Sequence, residues 1–371
     1  MLKFPPGLVY LLIKRGRLTS LDFVNSLPRS LESLHLGENS LGSLIRTDEG
    51  ADVARPYKIK FPEGIHTLNL DQNRSLFTLY SSRNFAYPPG LTDLNLMQTN
   101  LSTAMGLENL PLLRVLNLGY NDMGSVDDLV IPPTLIRLTS FSLTNSGVRS
   151  LSGARFPAGL KHLKLSGNKI ASLENIELPQ YLETLSLQEN QITSLADFDL
   201  PDSLLSLEFG SNKLTSVDGI QLPPKLNVLN LKENAINTIN ELQLPDSLRE
   251  LYLDKQEENP LRIRASIRTR FSEPPYASVK RGLTSVAGIP KLPSQLHSLI
   301  LCKNGLCEQA IEHWTFPSGL KRLYMHDNVF VNYPMWRREV RLALPNVEFD
   351  GGRESSDDDF LMMDYSDDEM Y

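Results

Sequence analysis

Proline stands at positions 157, 179, 201, 223 and 245 of this 371-residue chain, a constant interval of 22. Between these prolines the residues follow one pattern, P-x-x-L-x-x-L-x-L-x-x-N-x-Φ-x-x-Φ-x-x-Φ-x-Φ, where Φ is apolar. Self-similarity at a fixed period of roughly 20–50 residues marks a stacked array. It overrides the two or three compact domains that length alone would suggest. Less regular copies begin near Pro5, Pro28, Pro62, Pro89, Pro111 and Pro133, and again at Pro293 and Pro317, giving about 13 units over residues 5–332.

Two periods share each unit. Leu163-Lys164-Leu165 alternates and predicts a short strand with both leucines on one face. Ile170, Leu173 and Ile176 recur every third residue and predict a turn or helical piece that returns the chain. The proline at its end stops that return. One unit cannot bury its own leucines, whereas stacked units share a continuous core. Asparagine recurs at 39, 73, 121, 168, 190, 212, 234, 304 and 328, and its amide suits the backbone polar groups such a coil buries. Gly16, Thr99, Ser146 and Gln256 hold that place in the other units.

The motif L-x-x-L-x-L-x-x-N-x-L at this period resembles the leucine-rich repeat. The 22-residue length and Φ-x-x-Φ-x-x-Φ tail resemble the intracellular subclass typified by the regulatory subunit of type-one protein phosphatase. The regular L-P-x-x-L opening is also similar to bacterial effector repeats, whose units are shorter and whose ligase domain has no counterpart here. Residues 333–352, with Tyr333, Arg337, Val340, Leu344-Pro345 and Asp350-Gly351, resemble the C-terminal cap of such arrays. The resemblance implies a right-handed α/β leucine-rich-repeat solenoid, a horseshoe or arc with parallel strands on its concave side. The expected division is residues 1–332 as array, 333–352 as cap and 353–371 as a disordered acidic tail.

Charge and chemistry narrow the function. The net charge of −7 resides in residues 351–371, with eight acidic residues and Arg353, which leaves residues 1–350 balanced. A balanced body lacks the basic footprint of nucleic-acid binding. The apolar run GLVYLLI follows Pro5 and Pro6 and precedes Lys14 and Arg15, so it reads as a first repeat rather than a signal peptide or membrane span. Two cysteines, Cys302 and Cys307, point to a reducing compartment, cytoplasmic or nuclear. Neither they nor the six histidines have metal-site spacing, and no phosphate-binding glycine loop or nucleophile elbow occurs. No enzyme, metal or cofactor is expected.

The expected activity is that of a monomeric protein-binding scaffold. Between the two leucines of successive strands stand Leu12, His35, Asn69, Asn95, Asn117, Ser142, Lys164, Ser186, Glu208, Asn230, Tyr252, Ile300 and Tyr324. The middle of this series is small and polar, while its C-terminal third is aromatic and apolar. Interface hot spots favour Tyr, Trp and Arg, so Tyr252, Ile300, Arg322, Tyr324 and His326 are the candidate contact patch. The competing reading has the basic insertion at 255–281, or the cap with Trp336, covering these rings as core. Ser266 in that insertion, and Ser355, Ser356 and Ser366 in the tail, sit in contexts that basophilic and acidophilic kinases accept.

The subclass resemblance implies a phosphatase catalytic subunit or a signalling complex as partner. Repeats, cap and acidic tail also resemble the acidic nuclear phosphoproteins that bind histones, with a shorter tail and longer array here. A substrate-recruiting subunit of a ubiquitin ligase is a third reading. It needs a helical adaptor-binding segment before the repeats, and the first unit already begins at Pro5.

Overall fold

A computed structural model describes residues 3–42, 59–76, 85–102, 107, 109–123, 131, 134–196, 198–217, 219–239, 242–256, 282–284, 286, 291–306, 314–328, 338, 340–342 and 344–350. Its strands begin with β1 (Tyr10–Leu12), β2 (Ser33–His35), β3 (Ile59–Lys60), β4 (Thr67–Asn69), β5 (Phe85–Ala86), β6 (Asp93–Asn95), β7 (Val115–Asn117) and β8 (Ser140–Ser142). They continue with β9 (His162–Lys164), β10 (Thr184–Ser186), β11 (Ser206–Glu208), β12 (Val228–Asn230), β13 (Glu250–Tyr252), β14 (Ser298–Ile300), β15 (Arg322–Tyr324) and β16 (Glu348–Asp350). Fourteen of them, all but β3 and β5, form one sheet in chain order. Every adjacent pair is parallel, with Leu163, Leu185, Leu207, Leu229, Leu251, Leu299 and Leu323 aligned strand to strand. Parallel neighbours require a crossover, and right-handed crossovers coil this chain into a leucine-rich-repeat solenoid with the sheet on its concave side.

Each coil starts with a turn. The Leu160 N–H donates to the Pro157 carbonyl at 3.0 Å, and Leu182, Leu204, Leu226 and Leu248 repeat this with the prolines three residues before them. The strand leucines then point inward and are fully buried, as are Ile170, Ile192, Leu214 and Ile236 on the return.

The return is built of turns. Among the described residues, helix is confined to the 3-10 stretch Asp22–Ser26 and to residues 338 and 340–342. Local side-chain bonds give the physical reason. The hydroxyls of Ser150, Ser172 and Ser194 each accept from the N–H two residues ahead, at 3.1 Å, so the backbone is bonded without a helical ladder.

The asparagines form the expected ladder. Asn190 donates to the carbonyls of Leu165 and Leu187, both at 3.0 Å, and accepts from Ile170 N–H at 3.1 Å. At three of the four other ladder positions, Thr99, Ser146 and Gln256, a side-chain bond survives in altered form: Gln256 donates to Leu231 at 2.7 Å and accepts from Ile236 N–H at 3.0 Å. The residue before the ladder position is left-handed in coil after coil, as at Glu189, Ser211, Glu233, Lys255, Lys303 and Asp327.

The basic insertion leaves the stack undisturbed. Strand β13 pairs directly with β14, Tyr252 opposite Ile300, although 48 residues separate them. The chain departs after Gln256 and rejoins at Gly282, and Asn304 Oδ1 accepts from Gln256 N–H at 3.1 Å and Leu283 N–H at 3.3 Å. Residues 257–281, residues 43–58 and the tail lie outside the described residues.

Gly282 has φ +79°, and a Cβ there would stand 2.1 Å from the Gln256 carbonyl oxygen. Gly282→Ala is therefore expected to lower stability by about 2 kcal/mol or more in urea unfolding, combining left-handed strain with that clash. The strain also falls on the junction between β13 and β14, so protection of the Leu283 and Gln256 amides should drop first.

Candidate functional site: the C-terminal third of the concave sheet

Alternation along each strand sends the central leucine inward and its two neighbours onto the concave face. On β13, β14 and β15 the last positions are Tyr252, Ile300 and Tyr324, in direct register. With strands ~4.8 Å apart, the two rings flank Ile300 in a continuous row. The first positions of the same strands are Glu250, Ser298 and Arg322. Four of the five expected contact residues thus stand side by side. The fifth, His326, follows β15 beyond the buried Met325, and its Nε2 lies 3.9 Å from Asp327 Oδ2. Tyr252, Ile300, Tyr324 and His326 are half-buried and Arg322 is exposed.

Both rings are oriented by carboxylates. The Tyr252 hydroxyl donates to Glu250 Oε2 at 2.7 Å, and the Tyr324 hydroxyl donates to Glu348 on β16. Burial, with the Glu250 bond and charge behind it, pushes the Tyr252 phenol up to about 12, so it stays a neutral donor. Arg322 reaches across Ser298 to Glu250 at 3.6 Å. That pair is solvent-screened and contributes little to stability. It fixes orientation.

Several features of the site are not evident from the repeat pattern. Glu348 belongs to a segment that resembles a cap, yet V-E-F-D alternates like a repeat strand, with Phe349 packed on the core and Leu323 opposite it. That alternation is the signal that could have found it. Ser298 is fully buried on the concave side, and a lone serine carries no such signal. The polar middle of the sheet is also more ordered than its composition implies. Asn69, Asn95 and Asn117 each accept through Oδ1 from the N–H two residues ahead, at 2.8, 3.1 and 3.0 Å. Cys302 is buried. Cys307, Trp336 and the four serines, Ser266, Ser355, Ser356 and Ser366, lie outside the described residues. Among the described residues, no cluster of three His, Cys, Asp or Glu side chains is placed to hold a metal ion.

A parallel-sheet solenoid with one short strand per coil and a leucine core is the architecture that leucine-rich repeats build. Comparison with known proteins agrees on the repeat. The family of leucine-rich repeats in two copies matches residues 158–201, so the chain carries leucine-rich repeats. Among solved structures, the leucine-rich effector YopM of Yersinia pestis is similar over 94% of this chain and 84% of its own, at 23% identity and a TM-score of 0.58. YopM of Yersinia enterocolitica matches 94% of this chain and 70% of its own at 23% identity, TM-score 0.53. The internalin inlF of Listeria monocytogenes matches 90% and 96% at 17% identity, TM-score 0.54. These are likenesses of fold. None of the curated proteins matches the chain in sequence.

Proposed function

We propose that the chain is a non-catalytic, intracellular scaffold or regulatory subunit that, as a monomer, binds a partner protein on the C-terminal third of its concave face. The supporting observation is the register of Tyr252, Ile300 and Tyr324 across three consecutive strands, with both hydroxyls already bonded. Pre-oriented aromatic side chains lose little freedom on binding and are the usual anchors of protein interfaces. Arg322 and His326 border the row and complete the binding patch. Residues 333–352 serve as the cap, a role supported by β16 extending the sheet and by Val340, Leu344, Val347 and Phe349 packing on the core. For the partner's identity, the 22-residue period favours a phosphatase catalytic subunit or a signalling complex.

The test is capture from native cell extract with intact protein, a Tyr252→Ala/Tyr324→Ala variant and a form ending at Arg353. Loss of an anchor tyrosine costs about 2 kcal/mol, roughly thirty-fold in affinity. The double variant should therefore release the partner, while the shortened form retains it. A partner lost only with residues 354–371 would place binding on the acidic tail and overturn the concave site.

A further inference from the structure

The aromatic row lies in a field of carboxylates. Glu208, Glu250, Asp254 and Glu348 all stand at non-core positions of the strands from β11 to β16 or immediately after them. Lys164 and Lys232 face Glu208, Lys232 and Lys255 face Asp254, and Arg322 is shared with Glu250. Burial holds the carboxyls of Glu208 and Asp254 above their usual range despite nearby lysines. At the aromatic row itself the two ring-bonded carboxylates, Glu250 and Glu348, share one ion-pair partner among the described residues, Arg322 at 3.6 Å from Glu250.

Two further observations point to the same class of ligand. Tyr252 and Tyr324 each donate their hydroxyl proton to a carboxylate, which makes their rings richer in electron density and better faces for a cation. Between Glu250 and Arg322, in register with both, Ser298 is fully buried and its Oγ has no hydrogen-bond partner among the described residues. A buried hydroxyl left in that state is an acceptor for an incoming N–H group.

We propose that this face recognises a cationic segment of the partner protein, placing lysine or arginine side chains over Tyr252 and Tyr324 and against Glu250 and Glu348. The inference rests on the binding face proposed above and adds its chemistry. Arg322, loosely held by Glu250, yields that carboxylate to the incoming cation, and the same exchange uncovers Ser298 as an acceptor. Affinity then falls with rising salt because both partners present exposed charge at the rim.

The experiment selects a random twelve-residue peptide library on the full-length protein and remeasures the winners on variants. Lysine and arginine should be enriched at least two-fold over the input. The Glu250→Gln/Glu348→Gln variant, near-isosteric and neutral, should weaken winners about ten-fold, while Glu32→Gln, on β2's approach, leaves them unchanged. Unaltered unfolding midpoints in both variants confirm that the fold is intact. Neutral or acidic winners, indifference to the Glu250/Glu348 change, or no binder at all would overturn the cationic assignment. The Tyr252→Ala/Tyr324→Ala variant separates the two levels. Winners lost on it without enrichment of basic residues leave the face standing and refute its chemistry. Winners indifferent to it refute the face itself.

Discussion

Replacing Asn168 with alanine is expected to remove about 4 kcal/mol of stability. The Asn168 side chain is 6% exposed and makes four short bonds, with a longer one to the Ser166 carbonyl at 3.4 Å, that join its own coil to the preceding one. Its Oδ1 accepts from the N–H groups of Ser146 at 2.9 Å and Val148 at 3.1 Å. Its Nδ2 donates to the carbonyls of Leu143 and Leu165, both at 2.8 Å. Alanine strands these groups where water does not reach them, and each buried orphan costs about 1–3 kcal/mol. Some relaxation offsets the sum. Asn168→Gln should cost less than half as much, because Gln256 shows that the longer amide still bonds a neighbouring coil on both its atoms. Urea unfolding measures the difference, and hydrogen exchange locates it. Stability in an array is a sum over neighbouring interfaces, so the Ser146 and Val148 amides should lose protection before those of distant coils. A uniform loss along the whole chain would contradict this account.

Phe209→Ala is expected to cost a similar amount, about 4 kcal/mol, for a different reason. Phe209 stands where the pattern calls for the second strand leucine, is fully buried, and meets Phe198 edge-on with ring centroids 6.2 Å apart. Truncation removes the buried ring and leaves a cavity that rigid coils on either side cannot fill. Phe209→Leu restores the repeat's own residue at smaller volume and should cost about 1 kcal/mol, since it gives up the edge-on approach to Phe198. Thermal unfolding of the pair discriminates packing from pattern. If leucine proves as costly as alanine, the pairing of the two rings outweighs the cavity.

The strands were legible because the leucine alternation has a period of two and recurs at every coil. Each position placed between two leucines, from Leu12 to Tyr324, is the last residue of a strand. The Asn ladder was legible for the same reason: one residue type, one place, one set of backbone partners. The return segments were less so. Ile170 and Leu173 share an inward face in a helix or in a turn, and only the serine hydroxyls decide between them. Sheet β3–β5 joins two-residue strands, too short for any period to register. The left-handed residue before each ladder position is glycine only at Gly167 among the asparagine coils that display it from β9 onward, so glycine spacing conceals a conformation the whole array uses. At the candidate site, Tyr252, Ile300 and Tyr324 could be lined up from the repeat alone. Their bonds to Glu250 and Glu348 could not, because the second joins a repeat to a segment outside the pattern.

The junction at Gln256 and Gly282 separates the length of the chain from the geometry of the wall it interrupts. Closing a loop across fixed ends costs free energy that grows only with the logarithm of its length, so doubling the 25 residues from 257 to 281 adds about 0.6 kcal/mol. Natural variation can therefore lengthen, shorten or rewrite that stretch almost freely while the coils on either side keep their alignment. Residues added or removed between Gln256 and Gly282 thus change the length of the chain and leave the pairing of Tyr252 with Ile300 as it is.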